Sequence, residues 1–219
     1  MPSADISPSE PDLPEELPTT ELAALDHDAT IADIELRGAA LAEQRAGGVS
    51  LKTVKLAGVD LSGSRLEQLS AVHAALSDCN LANVHAPRAR LKNATIVGCR
   101  MTGILLSEAE LTDVTLRGCR IDLASFAYSK LTRVTFEDCV LAQSDFLDAQ
   151  LDGVRFDRCE LTRADIRGAR LQRCEFRGSD LAGLEGVERL RGAAFEWAGI
   201  VSMAGLFAGE LGIEVLDAE

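Results

Sequence analysis

A chain of 219 residues is long enough for one domain, and with aromatics at 4% its core must be built from aliphatic and small side chains. The formal net charge of -13 is unevenly placed: residues 1–30 hold eight acids and no Lys or Arg, residues 185–219 hold seven acids against Arg189 and Arg191, and the stretch between carries 20 of each sign. The acidic, proline-rich start excludes a secretory or transit peptide, and no run approaches the roughly 20 apolar residues of a membrane span, so a soluble cytoplasmic protein is expected.

Residues 1–25 contain five of the six prolines and few apolar groups. Alone they cannot bury enough surface to offset the entropy of ordering, so a disordered acidic tail is predicted, whose deletion should leave stability nearly unchanged.

The body, residues 26–183, is governed by two nested periods. Leu131-Thr132-Arg133-Val134-Thr135-Phe136-Glu137-Asp138-Cys139-Val140 is matched twenty residues earlier by Leu111 to Arg120 and twenty later by Leu151 to Glu160. Within each copy a large apolar residue recurs every fifth position. From Leu51 to Leu181 there are 27 such sites, and only Ala71 and Ala86 are small. Two residues before each site stands Ala, Cys, Val or Ser, except at Leu69 and Ile104. A period of five is neither helix nor ordinary strand. It fits a chain that turns a corner every five residues, with one large and one small side chain inward per side.

Cys79, Cys99, Cys119, Cys139 and Cys159 recur every twenty residues, so four sides close one coil. They predict an inner ladder of thiols, with Phe136, Phe156 and Phe176 forming a second ladder and Phe126 with Phe146 a third. About seven coils are expected. After Gly183 the beat is lost. Residues 184–219 are read as an irregular last turn followed by a helix with Trp197, Ile200, Val201, Ala204, Phe207 and Leu211 on one face. That helix is expected to cap the solenoid or to form a dimer contact.

The copies Cys79-Asn80-Leu81, Ser144-Asp145-Phe146, Ala164-Asp165-Ile166 and Ser179-Asp180-Leu181 resemble the pentapeptide-repeat motif Ala-(Asp/Asn)-Leu-x-x. The resemblance implies an all-β solenoid, a right-handed quadrilateral β-helix, with a C-terminal capping helix. The best-understood members of that family bind DNA gyrase by imitating duplex DNA and confer quinolone resistance, and they dimerise through a C-terminal helix. The unbroken register is similar to that of the loop-free mycobacterial gyrase-binding member. The middle position departs from the motif: Asp or Asn stands only at Asp60, Asn80, Asp145, Asp165 and Asp180.

Enzymatic chemistry finds no support in the residues. The cysteines lie one per coil rather than at metal-ligand spacing, and Cys174 has the same inward reading, so all six are expected to be inert. His27, His73 and His85 share no site, and no phosphate loop or nucleophile motif occurs. A non-enzymatic protein without cofactor or metal is expected. Two binding readings remain. Residues 101–160 hold eleven acids and six bases, and Glu137, Asp138, Asp145, Asp148, Asp152 and Asp157 could form a partner-binding acidic belt facing DNA gyrase. Alternatively, opposite charges one coil apart pair with each other and leave a scaffold rod without DNA mimicry. Five arginines, at 163, 167, 170, 173 and 177, count against simple mimicry, and direct nucleic-acid binding is poorly supported.

Overall fold

The computed structural model describes residues 6–215. Every fifth residue from Asp28 to Gly183 has a positive φ, so the chain turns a corner at each and four corners make a coil. Glycine occupies only some of these corners; Asp, Asn, Arg, Glu and even Leu123 and Tyr128 stand at others. A non-glycine residue in this region costs about 1–2 kcal/mol. The cost is offset because the corner amide is hydrogen-bonded to the next coil: Asp78 N–H donates to the Val97 carbonyl at 3.0 Å, and Tyr128 N–H donates to Leu147 at 2.8 Å.

A parallel sheet of ten strands wraps two sides of the rod around one row of corners. Seven have eight residues: β1 (Thr30–Arg37), β2 (Ser50–Ala57), β3 (Ser70–Ser77), β4 (Arg90–Val97), β5 (Glu110–Arg117), β6 (Lys130–Glu137) and β7 (Gln150–Asp157). Then come β8 (Arg170–Gln172), β9 (Glu175–Arg177) and the two-residue β10 (Ala194–Phe195). From β1 to β9 the strands pair in a register of twenty on either side of their corners, as Leu51 with Ala71 and Phe136 with Phe156. The coils number about eight, one more than the count expected.

The inner ladders form as the spacing requires. Phe136, Phe156 and Phe176 stack with ring centroids 5.1 and 5.0 Å apart, and Phe126 stacks on Phe146 at 5.0 Å. The two columns meet edge to face, Phe126 against Phe136 at 6.1 Å. Phe195 extends the longer ladder by one, 4.9 Å from Phe176. All six cysteines are buried and free. Where two of the four large inward sites of one coil are Ala71 and Ala86, an enclosed apolar cavity of about 60 Å³ remains, lined also by Leu56, Leu66 and Leu76.

Two expectations are corrected. The first concerns the tail. Residues 6–25 are laid against the rod rather than free in solvent. Ile6 is 3% exposed, and Leu22 and Leu25 pack on the core. Composition predicts disorder for a segment on its own; here the ordering is offset by a ready-made surface.

The second correction concerns the cap. The single helix is broken into α1 (Trp197–Ser202) and α2 (Ala204–Glu210), with Met203 buried at the joint. Gly199, Gly205 and Gly209 weaken a continuous helix. The last coil is covered by Val187 and Leu190 of a 3-10 turn (Val187–Leu190) together with Met203, while Phe195, Leu206 and Phe207 pack against them half-buried. Among the stripe residues predicted for the cap, Phe207 faces the core and Ile200 is half-buried. Trp197, Val201 and Leu211 are 79, 58 and 74% exposed, and Ala204 is exposed too.

Candidate functional site

The corner geometry sends residues on either side of each inward position out to solvent, where they line up in rows one coil apart. The six acids proposed as a belt fall in different rows. Glu137, Asp138 and Asp157 cluster beside one edge of the sheet, Asp152 lies on the sheet itself, and Asp145 and Asp148 belong to a side outside it. The structure brings the first three together around one arginine. Arg158 reaches Glu137 at 2.8 Å, Asp138 at 2.7 Å and Asp157 at 2.8 Å, and Arg117 holds Glu137 from the coil below at 2.7 Å. The hydrogen bonds from Arg117, then Arg158, keep the Glu137 carboxyl below its usual range despite partial burial, and Arg158 does the same for Asp138.

The other three are also engaged. Arg173 binds Asp152 at 2.6 Å, and Asp145 accepts the Leu147 N–H at 2.8 Å and the Ser125 hydroxyl at 3.2 Å. Asp148 folds its carboxylate into the space that the missing side chain of Gly168 leaves open. The acids are therefore dispersed over three faces, and four of the six are engaged in ion pairs.

A continuous acidic row does exist elsewhere. Asp145, Asp165 and Glu185 are bridged coil to coil on one side of the rod, and Glu160 and Asp180 are bridged on the neighbouring side. Arg167 clamps Asp165 at 2.6 Å and Glu185 at 3.3 Å, holding Asp165 below the ordinary aspartate range. At the other end of the same row stand Arg45, Arg65 and His85, likewise bridged in sequence. This side is thus basic at the start of the rod and acidic at its end. Sequence reasoning counted charge over windows and missed it; reading every twentieth residue from Arg45 gives the row directly.

The thiol ladder offers no reactive group to solvent. Each sulfur donates to backbone carbonyls, as Cys139 does to Glu137 at 3.3 Å and Leu116 at 3.5 Å. Hydrogen bonding to neighbouring sulfurs and then burial push Cys99 and Cys139 up, and burial raises Cys174 to about 11. A thiolate at Cys119 would gain hydrogen bonds from Cys139 and Cys99, a pull in the opposite direction. A bare charge inside this apolar tube nevertheless costs several kcal/mol, so the ladder stays neutral. Among the described residues no group of three His, Cys, Asp or Glu is placed to hold a metal ion, and no helix is long and apolar enough to cross a membrane.

A family profile described as "Pentapeptide repeat region" matches residues 71–146 and 119–185, more than half of the chain. The chain belongs to the pentapeptide-repeat family. Pentapeptide-repeat solenoids are generally non-enzymatic. Among solved structures, the chain is similar to HetL, described as a pentapeptide repeat protein involved in heterocyst differentiation regulation from the cyanobacterium Nostoc sp. strain PCC 7120. Identity is 19% over 73% of this chain and 85% of that one, with a TM-score of 0.42. It is also similar to full-length QnrB1, described as a plasmid-mediated fluoroquinolone resistance protein, at 17% identity over 84% of this chain and all of that one, TM-score 0.34. The comparison with curated proteins finds no match. The pentapeptide-repeat match omits both the N-terminal segment and the C-terminal helices, the two parts in which this chain departs most from its repeat.

Proposed function

We propose that this pentapeptide-repeat protein is a non-enzymatic binding rod that presents mixed-charge faces to a protein partner rather than a general imitation of duplex DNA. The observation that supports it is the clamp of Arg158 on Glu137, Asp138 and Asp157, which engages the acids that a DNA mimic would need free. On this reading the exposed Trp197, Val201 and Leu211 pair two copies end to end, removing apolar surface from water. Sedimentation of the wild-type chain should give a dimer, and Trp197→Asp with Val201→Glu should give a monomer with an unchanged circular dichroism spectrum. A monomeric wild-type chain at tens of micromolar would remove the end-pairing part.

A second reading, modulation of DNA gyrase, draws support from one feature: the acidic row Asp145, Asp165 and Glu185. Its test is a gyrase supercoiling assay against increasing protein, with and without a quinolone. Inhibition or quinolone protection that disappears in Asp145→Lys, Asp165→Lys would favour partial mimicry. No effect at micromolar protein would leave the scaffold reading alone.

A further inference from the structure

The N-terminal segment does more than lie on the rod; it is matched to it. It descends the sheet face against the order of the coils. Ile6 sits over Gly153 in β7, its side chain 3.3 Å from where a Cβ would stand. Ser9 N–H donates to Asp113 of β5 at 3.1 Å, and Asp12 N–H donates to Nδ1 of His73 in β3 at 3.0 Å. The Lys55 ammonium of β2 donates to the carbonyls of Pro14 and Glu15, both at 2.7 Å. Glu35 N–H of β1 donates to the Pro18 carbonyl at 2.9 Å.

Positions 153, 113 and 73 are corners of alternate coils, so from Ile6 to Asp12 each three residues of the segment descend two coils. Coils spaced as neighbouring strands are about 4.8 Å apart, which makes the step about 9.6 Å, or about 3.2 Å per residue. A polyproline II helix rises about 3.1 Å per residue and repeats every three residues. Pro8, Pro11 and Pro14 keep that period, and each immediately precedes an anchoring residue: Ser9, Asp12 and Glu15. The two lattices share a common repeat.

The corner row beneath is suited to this occupant. Gly153 is its one glycine, and that is where Ile6 is seated. Asp113 is 4% exposed, the one charged side chain buried among the described residues, because the segment covers it; Arg133 binds it at 2.6 Å and 2.7 Å. Apart from Ile6, the segment is held at Ser9, Asp12, Pro14, Glu15 and Pro18 through main-chain groups, so the surface selects spacing and extension more than side-chain identity. The segment adds Glu10, Asp12, Glu15 and Glu16 without a base, and the sheet face offers Lys52, Lys55 and Lys92.

We propose that this face is a receptor for acidic, extended protein segments with a proline at every third residue, and that residues 6–18 are its resident ligand. A partner carrying such a segment binds by taking the place of the strap. A tethered ligand competes at an effective concentration in the millimolar range, so the intact chain is closed to weak segments and open to strong or multivalent ones.

The test uses the full chain and a fluorescein-labelled peptide of residues 1–20, read by fluorescence anisotropy. Two variants loosen the strap without touching the coils: Ile6→Asp, which unseats the anchor, and Ser9→Pro, which removes the N–H given to Asp113. The peptide should bind both variants at least tenfold more tightly than it binds the wild-type chain. Adding Lys55→Glu to either should cut that binding at least tenfold. A peptide of the same composition with its prolines moved off the three-residue spacing should also bind at least tenfold more weakly. Equal binding to wild-type and loosened chains, no binding to either variant at millimolar peptide, or equal binding of the re-spaced peptide would overturn the proposal.

Discussion

The first four coils and the last four share one backbone and differ in what fills it. From β1 to β4 the tube is lined by leucine and alanine, and Ala71 with Ala86 leaves a void of about 60 Å³. From β5 onward Phe126, Phe136, Phe146 and Phe156 are wholly buried and stacked. Corners, register and coil-to-coil hydrogen bonds are the same in both halves. The contrast separates two jobs. The five-residue beat and the corner hydrogen bonds set the path of the chain, while the volume supplied per coil sets how firmly each level is held.

The strap follows the same division. In the second half it buries Ile6 and Asp113; in the first half its fixings are the His73, Lys55 and Glu35 hydrogen bonds, largely on the surface.

The largest effect expected from breaking this contrast is that of Phe156→Asp. It removes a ring stacked on both sides and buries a carboxylate without a partner, which should cost more than about 4 kcal/mol and unfold the later coils. A circular dichroism melt like that of the wild type would refute the ladder as the source of their stability. Next, Gly153→Val places a β-branched residue at a φ of +68° and against Ile6, for a loss of about 2–3 kcal/mol by chemical denaturation. Arg133→Gly, at the same corner row one coil earlier, should not free the strap through such a clash.

In the emptier half the sign reverses. Ala71→Val should fill most of the void and add about 1 kcal/mol, from about 24 cal/mol per Å³ of cavity removed. A loss of stability would mean that the void is not available to a larger side chain.

A gentler probe is pH. Hydrogen bonds from Arg133, then the Ser9 amide, hold the Asp113 carboxyl below its ordinary value. Its contribution is therefore complete above about pH 4 and is lost as pH falls through the depressed value. Hydrogen exchange should show the Ser9 amide losing protection by about tenfold in acid while the β5 amides remain protected. If both lose protection together, the strap and the coil are one cooperative unit.

Most of the body was legible because a solenoid repeats its own register: the thiol ladder, both phenylalanine ladders and the pairing of i with i + 20 follow from counting. Even the void was foreshadowed, since Ala71 and Ala86 are the two small residues among the large sites. Where counting stopped, so did foresight. Phe195 lies nineteen residues after Phe176, so a reader keeping the period passes over it, although its ring continues the stack. The cap was misread because helical spacing in the sequence does not say which side faces the coil; Met203, absent from the predicted stripe, is the residue buried there. The strap was missed because composition judges a segment against water, whereas its partners are scattered from Glu35 to Gly153. The dispersal of the six belt acids was already held in the numbering: residues 137, 145 and 152 cannot share a row when rows recur every twenty.

The descent of the strap has a mechanical consequence. From Ile6 to Asp12, at about 3.2 Å per residue, it is nearly taut, since a fully extended chain reaches only about 3.3–3.6 Å. That part is fixed at Gly153 in β7 and at His73 in β3, and so acts as a stay along one edge of a mast. The rod can bow toward that edge by letting the stay go slack. Bowing away from it must first break an anchor, so the rod has a soft sense of bending and a stiff one.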